Sequence, residues 1–240
     1  MTDTDLIDVV NATAAAPAPQ SAVSRNWSCV LFDLDGTIID SAPAITRALV
    51  QTLTEMGFRV PGPTELLAYV GPPILDSFRR LAGMTDKEAR RALGIYRTHY
   101  DSFGAIDAAV FPGVAGLIAS LHEEGLPVAL ATSKPEYLAR RVLEHFGLAD
   151  DFAVVAGASI DETVSEKSDI VAIALRRLAE QGASVEHPVM VGDRIHDVEG
   201  AAENGVPTIV VEWGYGSPEE AEDAIAIVHS VDRLRELLLG

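Results

Sequence analysis

Apolar residues along this chain follow two alternating rhythms. Short unbroken apolar runs occur at Cys29–Phe32, 127–131, 152–156, 189–191 and Thr208–Val211, and each reads as a strand buried on both faces. Between them the apolar positions spread to a helical period. Leu138, Val142 and Phe146 fall at i, i+4 and i+8, and Ile170, Ala174 and Leu178 repeat that spacing. Ala201 and Ala202 belong to a short helix after Asp197, and Val231, Leu234 and Leu238 mark a last one. Strand and helix in alternation predict an α/β fold, a parallel sheet covered by helices on both faces.

One stretch breaks the alternation. Between the first strand and residue 127 lies more chain than a crossover needs, and nearly all of it has a helical pattern. Ile45, Leu49, Thr52, Leu53 and Met56 form one stripe, and residues 87–100 form another. Pro61-Gly62-Pro63 and Gly71-Pro72-Pro73 divide the stretch, and Phe111-Pro112-Gly113 marks its end. Residues 42–110 therefore read as a helical module set into the first βα connection, leaving 27–41 and 111–240 for the core. A module inserted there stands over the carboxyl ends of the strands, where it can act as a lid. Residues 1–26 have three early Asp, an Ala/Pro patch and a single basic residue, Arg25. They read as a flexible tail, with the pattern of neither a signal nor a transit peptide.

Composition narrows the function. Hydrophobic residues make up 48% of the 240, enough for a packed core. The formal charge of −18 argues against nucleic acid and anionic membranes, because phosphate contacts need Lys and Arg. A small phosphorylated substrate stays compatible wherever a metal or local cations reverse the field. No apolar run reaches the length of a transmembrane helix. The one cysteine, Cys29, leaves no intrachain disulfide and reads as a buried small hydrophobe. A reducing, cytoplasmic setting is the expectation.

The strand ends hold the candidate chemistry. Asp33-Leu34-Asp35-Gly36-Thr37 follows the first apolar run, and ligands of open α/β sheets collect at the carboxyl ends of strands. Asp-x-Asp-Gly is also common turn chemistry, so the motif takes its meaning from the others. Thr132-Ser133 ends the second run, Lys167 opens the helix after the third, and Gly192-Asp193 ends the fourth with Asp197 one helical turn on. This set suits phosphoryl transfer. An aspartate can attack phosphorus in line and form an aspartyl phosphate. A Mg²⁺ ion held by side-chain oxygens of Asp33 and Asp193 and the backbone carbonyl of Asp35 would offset the repulsion between two anions. Lys167 would add positive charge on the phosphate, Thr132 a hydroxyl and Ser133 a backbone N–H. Asp35 would protonate the leaving oxygen and later take a proton from the attacking water. Asp197 would hold waters or Lys167 in place.

These four motifs, in this order, resemble those of the haloacid dehalogenase superfamily of phosphatases, over nearly all the chain from Trp27 onward. The resemblance implies a Rossmann-like core with an inserted helical cap of the superfamily's first type (C1). It implies Asp33 as nucleophile, Asp35 as general acid and base, and Mg²⁺ as cofactor, in agreement with the roles argued above. Ala131-Thr132-Ser133-Lys134-Pro135, Gly192-Asp193-Arg194-Ile195-His196-Asp197, Trp213-Gly214-Tyr215-Gly216 and Gly71-Pro72-Pro73 resemble the phosphoglycolate phosphatase branch in particular. Similar members of that branch are phosphoglycolate phosphatases or 5′-nucleotidases. The implied function is Mg²⁺-dependent hydrolysis of a small phosphomonoester. A 5′-nucleotidase and a sugar-phosphate mutase are the alternatives. Asp35 and Asp193 count against a dehalogenase, which needs neither the acid nor the metal. Thr37 leans towards the hydrolases, where mutases more often have Val.

Several neighbours of the motifs are also candidates. Lys134 competes with Lys167 for the phosphate but reads as lining the entrance. Arg194 reads as a surface ion pair beside Asp193, with a substrate contact as the alternative. His196 reads as a solvent-facing helix residue, and Trp213 and Tyr215 as core packing or a pocket wall.

Overall fold

The computed structural model describes residues 27–103, 107–161 and 163–240, so the expectation of a flexible tail over 1–26 lies outside the described residues. Strand β1 (Cys29–Phe32) leads through a tight turn into β2 (Ile39–Asp40). Four helices follow: α1 (Ala42–Met56), α2 (Pro63–Leu67), α3 (Ile74–Arg80) and α4 (Asp86–Phe103). Strand β3 (Ala109–Val110) then returns to pair antiparallel with β2. The rest alternates: α5 (Val114–Glu123), β4 (Val128–Pro135), α6 (Glu136–His145), β5 (Val154–Ala158), α7 (Lys167–Glu180), β6 (Pro188–Gly192), α8 (Ile195–Ala202), β7 (Thr208–Val211), β8 (Ala226–Val228) and α9 (Val231–Leu239).

Six strands form one parallel sheet in the order β5-β4-β1-β6-β7-β8. The alternation of side chains across β1 shows why the run is apolar throughout. Val30 and Phe32 face a core layer built with Leu117, Ile118, Val142 and Leu234 of α5, α6 and α9. Cys29 and Leu31 face the opposite layer, with Ile170, Val171 and Ala174 of α7 and Ala201 of α8. Burial pushes the Cys29 thiol above its ordinary value, as expected of a packing residue. Chain order runs outward from β1 in both directions, so β1 is the switch point of the sheet, and its carboxyl end opens into the crevice where such folds bind ligands.

The helical insertion has its own apolar core. Ile45, Leu49 and Leu53 of α1 meet Phe78 of α3 and Leu93 and Tyr96 of α4, and Leu138 of α6 joins them from below. Gly57 ends α1 at φ 72° and its N–H closes on Thr54 O, so the chain turns back with no side-chain clash. Thr85 and Glu88 start α4 with reciprocal side-chain bonds to each other's backbone N–H, at 3.4 and 2.9 Å. Among the described residues, no helix is long and apolar enough to cross a membrane.

The five expected strands lie where the apolar runs are, with β4 running on through Thr132-Ser133 and β5 starting at Val154 rather than 152. Three of the strands were not expected. The two-residue strands β2 and β3 are too short to show a period, and β8 is an edge strand whose Ile227 is 42% exposed.

Candidate active site

The turn after β1 is wound by its own backbone. Leu34 O accepts from Ile38 N and Ile39 N, and Gly36 N donates to Ile39 O, at 2.9–3.0 Å. Gly36 sits at φ 90°, and a Cβ there would fall 2.2 Å from Asp193 Oδ2. Both the conformation and the space demand glycine. Asp33 precedes this turn, tied by Asp33 N to Val191 O of β6 at 2.9 Å.

Four further segments converge on Asp33. Lys167, first residue of α7, places Nζ 2.8 Å from Asp33 Oδ1, 2.8 Å from Asp197 Oδ1 and 3.0 Å from Ala131 O. Asp197, in the first turn of α8, accepts from Asp193 N and Arg194 N through Oδ2, both at 3.1 Å, and so caps the helix it belongs to. Asp193, at the end of β6, accepts from Thr37 Oγ1 at 3.1 Å and from Tyr215 N at 2.8 Å. Thr132 and Ser133 lie at the end of β4. Thr132 Oγ1 takes Lys134 N at 3.3 Å, whereas Ser133 Oγ is buried with no hydrogen-bond partner among the described residues. An orphaned buried hydroxyl beside two buried lysines is where an incoming oxyanion would find a donor.

Asp33, Asp193 and Asp197 each offer a carboxylate oxygen within 4.8 Å of the others, and all three are buried. Burial pushes Asp33 up to about 6 against the pull of Lys167, with Asp197 adding to the rise. Asp193 is pushed well above the usual carboxylate range by burial and by its neighbours Asp197 and Asp33. Hard, crowded, dry carboxylates of this kind fit a divalent cation of the Mg²⁺ or Ca²⁺ type, whose charge would relieve all three. Lys167 stays charged: burial works against it, but Asp197 and Asp33 override that and raise it above the ordinary amine value.

Asp35 faces the other way, towards the insertion. Lys134 Nζ holds both its oxygens, at 2.9 and 2.8 Å, and also stands 4.9 Å from the ring centroid of Tyr100 in α4. Burial disfavours charge on Lys134, yet the Asp35 carboxylate overrides it and lifts the amine above its ordinary value. The two residues, with Ser133, form the floor of a cavity of about 50 Å³ roofed by Tyr69, Tyr96 and Arg97 of the insertion.

Thus the structure gathers Asp33, Thr132, Ser133, Lys167, Asp193 and Asp197 at one crevice, with Asp35 on its cap side. Three expectations change. Lys134 is a buried partner of Asp35 rather than a residue of the entrance. Arg194 is no surface pair: its side chain is 11% exposed, and it bonds Glu220 Oε2 and the carbonyl of Val70 in the insertion. His196 is half-buried beside Ser133 and Lys167, and burial with the nearby Arg194 charge depresses its pKa. Thr37 as a donor to Asp193, and the Gly214-Tyr215 backbone around it, were missed as site residues. The Thr directly after Asp-x-Asp-Gly, and the Gly-Tyr-Gly after the last expected strand, were the available signals.

A buried aspartate at the strand end of the switch point, a buried lysine, a carboxylate cluster and a helical insertion overhead suit a hydrolase of the phosphoryl-transfer type. The model for haloacid dehalogenase-like hydrolases matches residues 30–211. The chain belongs to that family, and within it is a phosphoric monoester hydrolase. It is 39% identical over 222 residues to the tyrosine-protein kinase PtkA of Mycobacterium tuberculosis, covering 91% of this chain and 75% of that one. It is 35% identical over 191 residues to a 5′-nucleotidase of Pseudomonas aeruginosa, with 80% and 85% covered. It is 33% identical over 222 residues to a phosphoglycolate phosphatase of Pseudomonas fluorescens, with 88% and 78% covered. The solved structure of a predicted phosphatase from Clostridium acetobutylicum superposes with a TM-score of 0.83 at 36% identity, covering 89% of this chain and 98% of that one.

Proposed function

We propose that this enzyme is a Mg²⁺-dependent phosphatase of a small phosphomonoester, with Asp33 as nucleophile and residues 42–110 as the cap that selects the leaving group. Residues 27–41 and 111–240 supply the catalytic core. The observation that carries the reading is the convergence on Asp33: Lys167 Nζ at 2.8 Å, with the carboxylates of Asp193 and Asp197 beside it. Asp33 and Asp193, with the backbone carbonyl of Asp35, would hold the metal. When bound, Mg²⁺ would supply the charge that lets a carboxylate approach a phosphate dianion.

The chain's own residues do the rest. An Asp33 oxygen attacks phosphorus, the bond from phosphorus to the ester oxygen breaks, and Asp35 gives that oxygen its proton. Water then attacks the aspartyl phosphate, Asp35 takes the water's proton, and the bond to Asp33 breaks to free phosphate. Lys167, Thr132 and Ser133 hold the phosphoryl oxygens throughout. Lys134 keeps the Asp35 carboxylate aimed at the cavity where the ester oxygen leaves.

Cavity size supports a small leaving group. The cavity beside Asp35 and Lys134 is small, about 50 Å³. A glycolate has five heavy atoms, and a nucleoside needs several times that space. Phosphoglycolate is therefore the substrate we favour, over the nucleoside monophosphates that the 35% identity to a 5′-nucleotidase brings in. The 39% identity to a tyrosine kinase favours a second reading, transfer of the phosphoryl group from Asp33 to an acceptor other than water, as a sugar-phosphate mutase also does. We place the enzyme in the cytoplasm on the strength of its one cysteine, buried in β1.

The test is phosphate release from phosphoglycolate, nucleoside monophosphates and a hexose 1-phosphate with its bisphosphate, by the wild type and Asp33→Asn. Phosphoglycolate should lead, and Asp33→Asn should release none while unfolding at an unchanged or higher temperature. Metal-dependent hydrolysis retained by Asp33→Asn would end the covalent mechanism. Isomerised hexose phosphate without phosphate release would establish the second reading.

A further inference from the structure

Helix α1 begins without the cap its sequence offers. Ser41 is the N-cap residue, a type that ordinarily accepts a hydrogen bond from the first turn through its own hydroxyl. Here Ser41 makes no such bond, and its Oγ is buried with no hydrogen-bond partner among the described residues. The amides at this end go to another part of the molecule. Tyr215 Oη accepts from Ser41 N at 2.9 Å and from Ala42 N at 3.0 Å, and donates to Asp40 Oδ1 at 2.7 Å. Tyr215 lies in the loop after β7, 174 residues further along the chain from Ser41.

That loop also grips the acidic cluster. Tyr215 N donates to Asp193 Oδ2 at 2.8 Å. A Cβ on Gly214 would fall 2.3 Å from Asp193 Cβ, so the backbone lies flat against that carboxylate's stem. Trp213 Nε1 donates to Thr37 O at 3.1 Å, and Thr37 in turn holds Asp193 Oδ1. Asp40 and Ser41 are where the chain passes from the β2–β3 ribbon into the first cap helix, the kind of element-terminal position that absorbs a cap's rotation. Tyr215 thus touches this junction with its side chain and the reaction centre with its backbone.

We propose that Tyr215 is a positioning residue that fixes the angle at which the cap leaves the core, by capping α1 from the core and tying it to the loop that holds Asp193. The inference rests on the phosphatase reading for its kinetic arm, and its structural arm is independent of it. The phenol reaches no reacting atom; it acts through α1, and α1 carries Ile45 into the wall of the substrate cavity.

Tyr215→Phe removes Oη alone, keeping the ring and the backbone N–H on Asp193. Two measurements decide. Amide hydrogen exchange at Ser41 and Ala42 should quicken by about tenfold or more in the variant, because both amides lose their acceptor. For phosphoglycolate, or the nucleoside monophosphate if that is the ester turned over, KM should rise about tenfold. The inhibition constant of inorganic phosphate, which has no leaving group to meet the cap, should shift by less than about threefold. Unchanged exchange at Ser41 and Ala42 overturns the proposal. So does a parallel rise in KM and in the phosphate inhibition constant, which would place the effect at Asp193, or no change in either constant. Failure of the phosphatase reading would show instead as a wild type that frees no phosphate from any ester, and the exchange arm would still decide.

Discussion

Lys134 and Asp35 are buried together, 9% and 7% exposed, and each answers the other's charge. A buried pair adds little net stability, but removing one partner strands the other, at a cost of about 3–5 kcal/mol. Lys134→Met should therefore destabilise the protein by that amount in urea unfolding, and should cut turnover by roughly 10²–10⁴-fold by misplacing the acid. Adding Asp35→Asn should restore most of the stability and none of the activity. A double variant no more stable than Lys134→Met would refute the pairing. Asp193 shows a different constraint. Its carboxylate is packed so closely by Gly36 and Gly214 that neither position tolerates a Cβ, so its aim is set by close backbone together with the Thr37 hydroxyl.

At the scale of elements, the functional groups gather at or near the carboxyl ends of strands and the first turns of helices, and this decided what the sequence could reveal. Asp33, Thr132 and Asp193 follow unbroken apolar runs, and Lys167 opens a helix of clear period, so their common crevice was readable from the runs alone. Strand β8 was not, since Ala226-Ile227-Val228 has one buried residue at a sheet edge. Nor were contacts made across the chain: Lys134 and Asp35 are 99 residues apart, and no local pattern announces that two charges will meet. Arg194, the N-cap residue of α8, reaches out of the core to Val70 between α2 and α3 and is braced by Glu220. Arg194 reads locally as solvated because its partners come from two distant segments. Its planar fork serves both acceptors, which an ammonium on a flexible stem cannot reproduce. Arg194→Lys should accordingly behave much like Arg194→Met, each losing about 1–3 kcal/mol in urea and raising the exchange rates of the Val70 and Gly71 amides. Full retention of stability by the lysine variant would reduce the contact to simple charge.

The molecule as a whole has a net charge of −18, and it gathers three of its carboxylates in one buried crevice. In the metal-free protein that concentration is a burden, and Asp33 displays it. Its carboxyl rises from an ordinary 3.8 to about 6, so the folded state holds a proton that the unfolded chain has released. Stability from this group is full below pH 4 and declines as pH rises from about 4 to about 6. Asp193, also raised, acts in the same direction. A bound divalent cation needs these carboxylates ionised, so it competes with the protons. One pH unit below 6, Asp33 alone costs the ion about tenfold in affinity. The rise in Tm given by millimolar Mg²⁺ over a chelator control should therefore be small at pH 5 and grow steeply to pH 7.5. The metal-free Tm should move the opposite way, as far as these groups control it. Asp33→Asn removes the competing proton along with a ligand, so its smaller magnesium response should be flatter across the same range. A magnesium increment in the wild type that is equal at pH 5 and pH 7.5 would mean that the cation is not held by the Asp33 cluster.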